Sequence, residues 1–155
     1  TLQKNSPFDA KTLGTIRTAG GHVHISYEHD GELPRMEDRI KLVRMLDLAL
    51  GVPAVWIDRD DIRRKFYGKA GSFRVKPYGV EYRTLSNFWI QEEHYMDWVF
   101  NKITWVFEQL NNPHNKGLTP EVEQQIQRAI NEPDRALVQE LMITHNLTIP
   151  NLARV

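Results

Sequence analysis

Cysteine is absent from the 155 residues, which excludes a disulfide frame, a thiolate metal site and a cysteine nucleophile, and suits a reducing compartment. Net charge is absent too: twenty Lys and Arg balance twenty Asp and Glu, so no overall field draws the chain to nucleic acid or an anionic membrane. No apolar run is long enough to span a bilayer, and no signal peptide opens the sequence. Acids are scarce before Arg17, where Asp9 stands alone.

What is present supports one folded domain with a workable core, at 41% hydrophobic residues. Charge is uneven along the chain. Asp58 to Arg83 holds eight basic residues against four acidic, whereas Thr119 to Glu140 is acidic, so the middle is the positive region.

The stretch "RTAGGHVHISYE" alternates behind a glycine pair. In a strand over His22 to Glu28, His22, His24, Ser26 and Glu28 share one face and Val23, Ile25 and Tyr27 the other. A covering helix follows from Arg35 or Met36 to Leu50, with Ile40, Val43, Leu46 and Leu50 on one stripe. Gly51 stands where a helix ends in a left-handed residue, and Pro53 blocks an immediate restart.

Arg63, Arg64 and Lys69 then sit in a basic loop before a hairpin, "SFRVKPYGVEYRTLS". A four-residue loop, Pro77 to Val80, sets Lys76 opposite Glu81 and Arg74 opposite Arg83, with Val75 and Tyr82 on the other face. Gln91 to Leu110 is an apolar core helix. Thr119 caps a helix beginning at Pro120, and Asp134 to His145 forms another, giving a C-terminal helical hairpin.

Imidazoles, a carboxylate and several guanidiniums near one another are equipment for phosphoryl transfer, which needs fixed cations to spread developing negative charge. Singly, these features have plainer explanations: a surface His pair, a solvated strand face, a cross-strand ion pair. "GKAG" lacks the spacing of a Walker phosphate loop.

Taken in order, "R-x-A-G-G-H-V-H-I", a helix ending "L-G-V-P", and "RR-x-x-Y-G-K-A-G-x-F-R-x-K-P-Y-G-V-E-Y-R-T-L-S-N-F-W" resemble the phage-type carboxylate-amine ligases. These amidoligases are members of the glutamine synthetase and glutamate-cysteine ligase superfamily. The resemblance covers about Arg17 to Trp89. It implies an α+β fold, an antiparallel sheet of glutamine synthetase-like type covered on one face by helices. It also implies ATP and Mg2+ or Mn2+ as cofactors, and a carboxylate, small-molecule or peptide, joined to an amine through an acyl phosphate.

Residue roles follow from the same resemblance. His22 and Glu81 become metal ligands; His24, Lys76 and Arg64 contact the nucleotide. Arg74 and Glu81 are catalytic, and Arg83 and Arg17 hold substrate. Residues 1–112 are then the C-terminal part of a catalytic domain and 113–155 a helical extension. The remaining metal-binding carboxylates are expected from a missing N-terminal half or a second chain, in the cytoplasm of an infected bacterial host. Two other classes stay open: a non-catalytic phage structural or interaction protein keeping the ligase fold, and a metal-dependent hydrolase. In the hydrolase, His22 and His24 would bind zinc with a third ligand from Glu81, His29 or His94.

Overall fold

Among the described residues, apolar positions alternating in short runs and recurring at helical spacing build a three-stranded antiparallel sheet backed by helices. The computed structural model describes residues 19–28, 31–59 and 61–150. Arg17 and His29 lie outside them. No helix among the described residues is long and apolar enough to cross a membrane.

The strands are β1 (Val23–Ser26), β2 (Phe73–Lys76) and β3 (Gly79–Tyr82), with β3 central in the order β1-β3-β2. β1 is shorter than its alternating pattern, yet the alternation holds: Val23 and Ile25 are buried, His24 and Ser26 exposed. Tyr27 turns the same way as Val23 and Ile25, with its ring edge-on to Phe107 at 5.4 Å.

The hairpin register differs from the expected one by two residues. Lys76 pairs with Gly79, Val75 with Val80, Arg74 with Glu81 and Phe73 with Tyr82, so only Pro77 and Tyr78 form the loop. Gly79 is the reason, because it belongs to the ladder: a Cβ there would stand 2.1 Å from the Ile25 carbonyl oxygen on β1, a contact that only glycine permits. A shift of two preserves which face each side chain occupies, so the charged and apolar faces stay separate.

The covering helix does not stop at Gly51. Helix α1 (Met36–Leu46) passes through a π-helical turn (Asp47–Gly51) into α2 (Val52–Ile57). Pro53 lacks an amide hydrogen and its ring crowds the carbonyl four residues back; the wider turn relieves this, with the Val52 amide donating to the Asp47 carbonyl. Gly51 has ordinary helical angles, and its missing side chain makes room for Ile130 and Tyr82.

Helix α3 (Asp61–Phe66) occupies what the sequence suggested was loop. Helix α4 (Glu93–Asn111) buries Trp98, Val99 and Val106 as expected, but Phe100 and Leu110 are exposed. Helices α5 (Pro120–Asn131) and α6 (Arg135–Thr144) start at the caps Thr119 and Asp134, each accepting a backbone N–H.

Two apolar clusters flank the 36–57 helix. One joins β1, β3, α1 and α4 through Val23, Leu46, Val80, Tyr82 and Val99. The other joins the π turn and α2 to α5 and α6 through Leu48, Val52, Ile130 and Val138. With helices on the apolar side of the sheet, the polar side carries His24, Arg74, Lys76 and Glu81.

Candidate functional site

The register sets three polar side chains in one row across the sheet, since Glu81 pairs with His24 on one side and with Arg74 on the other. Glu81 is 3% exposed and forms the centre of the site. Its Oε2 accepts from Lys76 Nζ at 2.8 Å and Arg74 Nη1 at 3.4 Å, with His24 Nε2 at 4.0 Å. Its Oε1 accepts from Arg83 Nη1 and lies 3.2 Å from His22 Nδ1. Strand alternation explains the gathering: positions 22 and 24, 74 and 76, and 81 and 83 all point to the same side.

The electrostatics follow. The Lys76 hydrogen bond, and then the Arg83 hydrogen bond and charge with Arg74 beyond, outweigh burial and hold the Glu81 carboxyl down to about 2. His22 is pushed below the ordinary imidazole value by burial and by Arg83, despite Glu81 beside it. Among the described residues, three fixed cations around one carboxylate leave an excess of two positive charges on an open face. Glu81 thus holds Arg74, Lys76 and Arg83 together while using one donor of each, and among the described residues their other donors can serve an anion. His24 Nδ1 is 2.6 Å from the Tyr78 hydroxyl, and the two rings stack at the rim.

Arg64 is not brought to this cluster. Neighbouring residues of a helix diverge by about a quarter turn, and α3 sends its two arginines to different places. Arg64 donates to the Ala54 and Asp58 carbonyls at the end of α2, close to the Asp58 and Asp61 carboxylates. Arg63 goes to the sheet side, donating to the Leu85 and Thr84 carbonyls. Lys69 reaches the Asn131 carbonyl on α5, away from Glu81. His94, the third ligand considered for a hydrolase, lines a separate groove with Trp98 and Lys102.

The glycines before His22 approach the chain itself. A Cβ at Gly21 would stand 2.3 Å from the Ser86 carbonyl, and one at Gly20 2.5 Å from His22 Nε2. This lets residues 20–21 run against residues 85–89, where the Trp89 indole donates to the Gly21 carbonyl, and so fixes how β1 presents its imidazoles.

The described residues do not by themselves fit the expected magnesium or manganese ion on His22 and Glu81. Among them no group of three or more His, Asp or Glu is arranged to hold a metal. Glu81 is the single acid of the cluster and both its oxygens are engaged by cations, whereas a hard divalent ion needs several oxygen ligands. The donor set fits phosphate and carboxylate oxygens.

Asp47 is the residue that sequence reasoning missed. It sits in the π turn, fully buried, and accepts from the Tyr82 hydroxyl at 2.8 Å, the Thr84 hydroxyl at 3.0 Å and the Gly71 amide. Burial lifts its carboxyl to about 7, against the pull of those hydrogen bonds. The signal was an acid inside the apolar run "MLDLAL".

The family model described as phage phiEco32-like COOH.NH2 ligase-type 2 matches residues 15–153, the C-terminal helices included. No curated protein and no solved structure matches the chain.

Proposed function

Because the chain belongs to the phage phiEco32-like COOH–NH2 ligase type 2 family, we propose that it activates a carboxylate with ATP and passes the acyl group to an amine. The observation that carries this reading is the convergence of His22, His24, Arg74, Lys76 and Arg83 on the buried carboxylate of Glu81. Both ATP phosphates and a carboxylate are anions that repel each other in water, and a cluster of fixed cations lets them meet.

In the proposed reaction a carboxylate oxygen attacks the γ-phosphorus of ATP. The bond to the bridging oxygen breaks, ADP leaves with that electron pair, and an acyl phosphate remains. The amine nitrogen then attacks the acyl carbon, phosphate departs with the C–O pair, and the nitrogen loses a proton to form the amide. On this reading Arg74 and Lys76 steady the transferring phosphoryl group, His24 at the rim contacts the nucleotide, and Arg83 holds the substrate carboxylate. Glu81 keeps these cations in register. On this reading the three strands are the described part of a glutamine synthetase-like floor, and the reaction runs in the cytoplasm of an infected host, where ATP is supplied.

Ligand-dependent melting of the full chain tests the reading. An unhydrolysable ATP analogue should raise the melting temperature, and Lys76→Gln should abolish the rise. Stabilisation by zinc without nucleotide would point to a hydrolase instead, and stabilisation by neither to a structural or interaction protein.

A further inference from the structure

We propose that Glu81 divides the cationic face into two lobes, and that the recessed lobe on its Oε1 side is the subsite for the acceptor carboxylate. Arg63, Tyr67 and Ser72 are its selectivity residues. This assignment rests on the ligase reading above and adds the class of substrate: a small, polar carboxylate.

The two lobes differ physically. On the Oε2 side the Arg74 side chain is 60% exposed and that of His24 50%, and Tyr78 is an exposed neighbour. An open cationic edge of this kind suits a polyphosphate, whose charge is spread over many oxygens. The Oε1 side opens into a cleft of about 200 Å³ lined by Gly20, His22, Arg63, Tyr67, Ser72 and Arg83. Its size lies below the roughly 300–1,000 Å³ of sites for larger ligands, and its lining is more polar than apolar, with two arginines and a histidine among seven residues, so bulky apolar acyl groups are disfavoured.

Arg63 is 3% exposed and fixed by its bonds to the Thr84 and Leu85 carbonyls, so its charge sits in the cleft wall already oriented. Gly68 makes this possible, because a Cβ there would stand 2.6 Å from Arg63 Nη1. Arg63 and Arg83 both line the cleft, together with the hydroxyl-bearing residues Tyr67 and Ser72. That pattern recognises a single compact oxyanion group. The γ-phosphate of a nucleotide is the other source of such a group, and the experiment separates the two.

The test is backbone amide NMR on the full chain with succinate, its diamide succinamide, and an unhydrolysable ATP analogue as probes. Succinate should shift the Gly68 and Ser72 amides and succinamide should not, while the ATP analogue shifts His24 and Tyr78 and leaves Gly68 and Ser72 in place. The paired variant Tyr67→Phe, Ser72→Ala should weaken succinate about tenfold, the worth of one or two lost hydrogen bonds, with unchanged nucleotide affinity and melting temperature. Succinate bound equally well by that variant, no succinate-dependent shift in the cleft, or an ATP analogue that competes with succinate there would each overturn the assignment. Succinate in the cleft with no nucleotide bound anywhere would uphold the subsite and defeat the ligase reading.

Discussion

The Tyr82 hydroxyl donates to Asp47 Oδ1 at 2.8 Å, tying the strand that carries Glu81 to a carboxylate sunk in the core. The residues on either side of Tyr82 face the opposite way, into the cationic cluster. Asp47 therefore sets the back of the strand while Glu81 organises its front.

This predicts a particular pH dependence of stability. Burial raises the Asp47 carboxyl from 3.8 to about 7, so between those values the folded chain keeps a proton that the unfolded chain has released. The stability contributed by the protonated acid is complete below the lower value and is lost as pH rises through the upper one, at about 1.4 kcal/mol per unit. Urea unfolding at about pH 5 and about pH 8 should show a loss of up to a few kcal/mol that is missing in Asp47→Asn. Equal pH slopes in the two proteins would remove the buried acid as the cause.

Glu81 has the opposite sign. Its carboxyl is held down to about 2, so its contribution is present above the ordinary carboxylate range and disappears as pH falls toward 2. Glu81→Gln keeps the shape but leaves Arg74, Lys76 and Arg83 facing one another. Thermal melts in low salt should show a cost of about 1–3 kcal/mol, shrinking as salt or inorganic phosphate screens the cations. A loss that salt does not change would mean that packing, and not charge, is what Glu81 supplies.

Gly51→Ala separates two explanations of one residue. An exposed helical position gains from alanine, by up to about 1 kcal/mol. Here a Cβ would meet Ile130 Cδ1 at 2.8 Å and the Tyr82 hydroxyl at 3.1 Å, so the substitution should cost about 1–3 kcal/mol by overpacking. Chemical denaturation gives the sign directly.

Trp98 and Arg74 should divide stability from binding. Trp98 is buried with its indole donating to the Thr148 carbonyl, and Trp98→Ala should cost about 3–5 kcal/mol. Arg74 projects from an edge strand, and Arg74→Gln should change stability by no more than about 0.5 kcal/mol while weakening binding of the ATP analogue. Denaturation and nucleotide titration on the same pair of variants measure both effects.

Much of this arrangement was legible before any coordinates. The alternation at Val23–Ser26, the helical spacing of Met36–Leu46 and Glu93–Asn111, and the caps Thr119 and Asp134 are local patterns, and local sterics and hydrogen bonding decide them. That His22 and His24 share a face, and that Arg74, Lys76, Glu81 and Arg83 share one, was legible too, because strand period sorts side chains within each strand; the pairing of β1 with β3 brings the two sets together. Arg64 was not, since a helix in place of a loop rotated it away from the sheet.

The amino-acid order by itself determined which residues alternate, which repeat at helical spacing, and therefore which polar groups of one strand share a side. The tertiary structure alone decided the hairpin register, the passage of the helix through Gly51 and Pro53, and the burial of Asp47. Each of these depends on distant atoms: the Ile25 carbonyl against Gly79, Ile130 against Gly51, and Tyr82 and Thr84 against Asp47. Periodicity says what faces the core, but only packing says which distant group is waiting there, because close contact excludes a side chain as firmly as covalent geometry does.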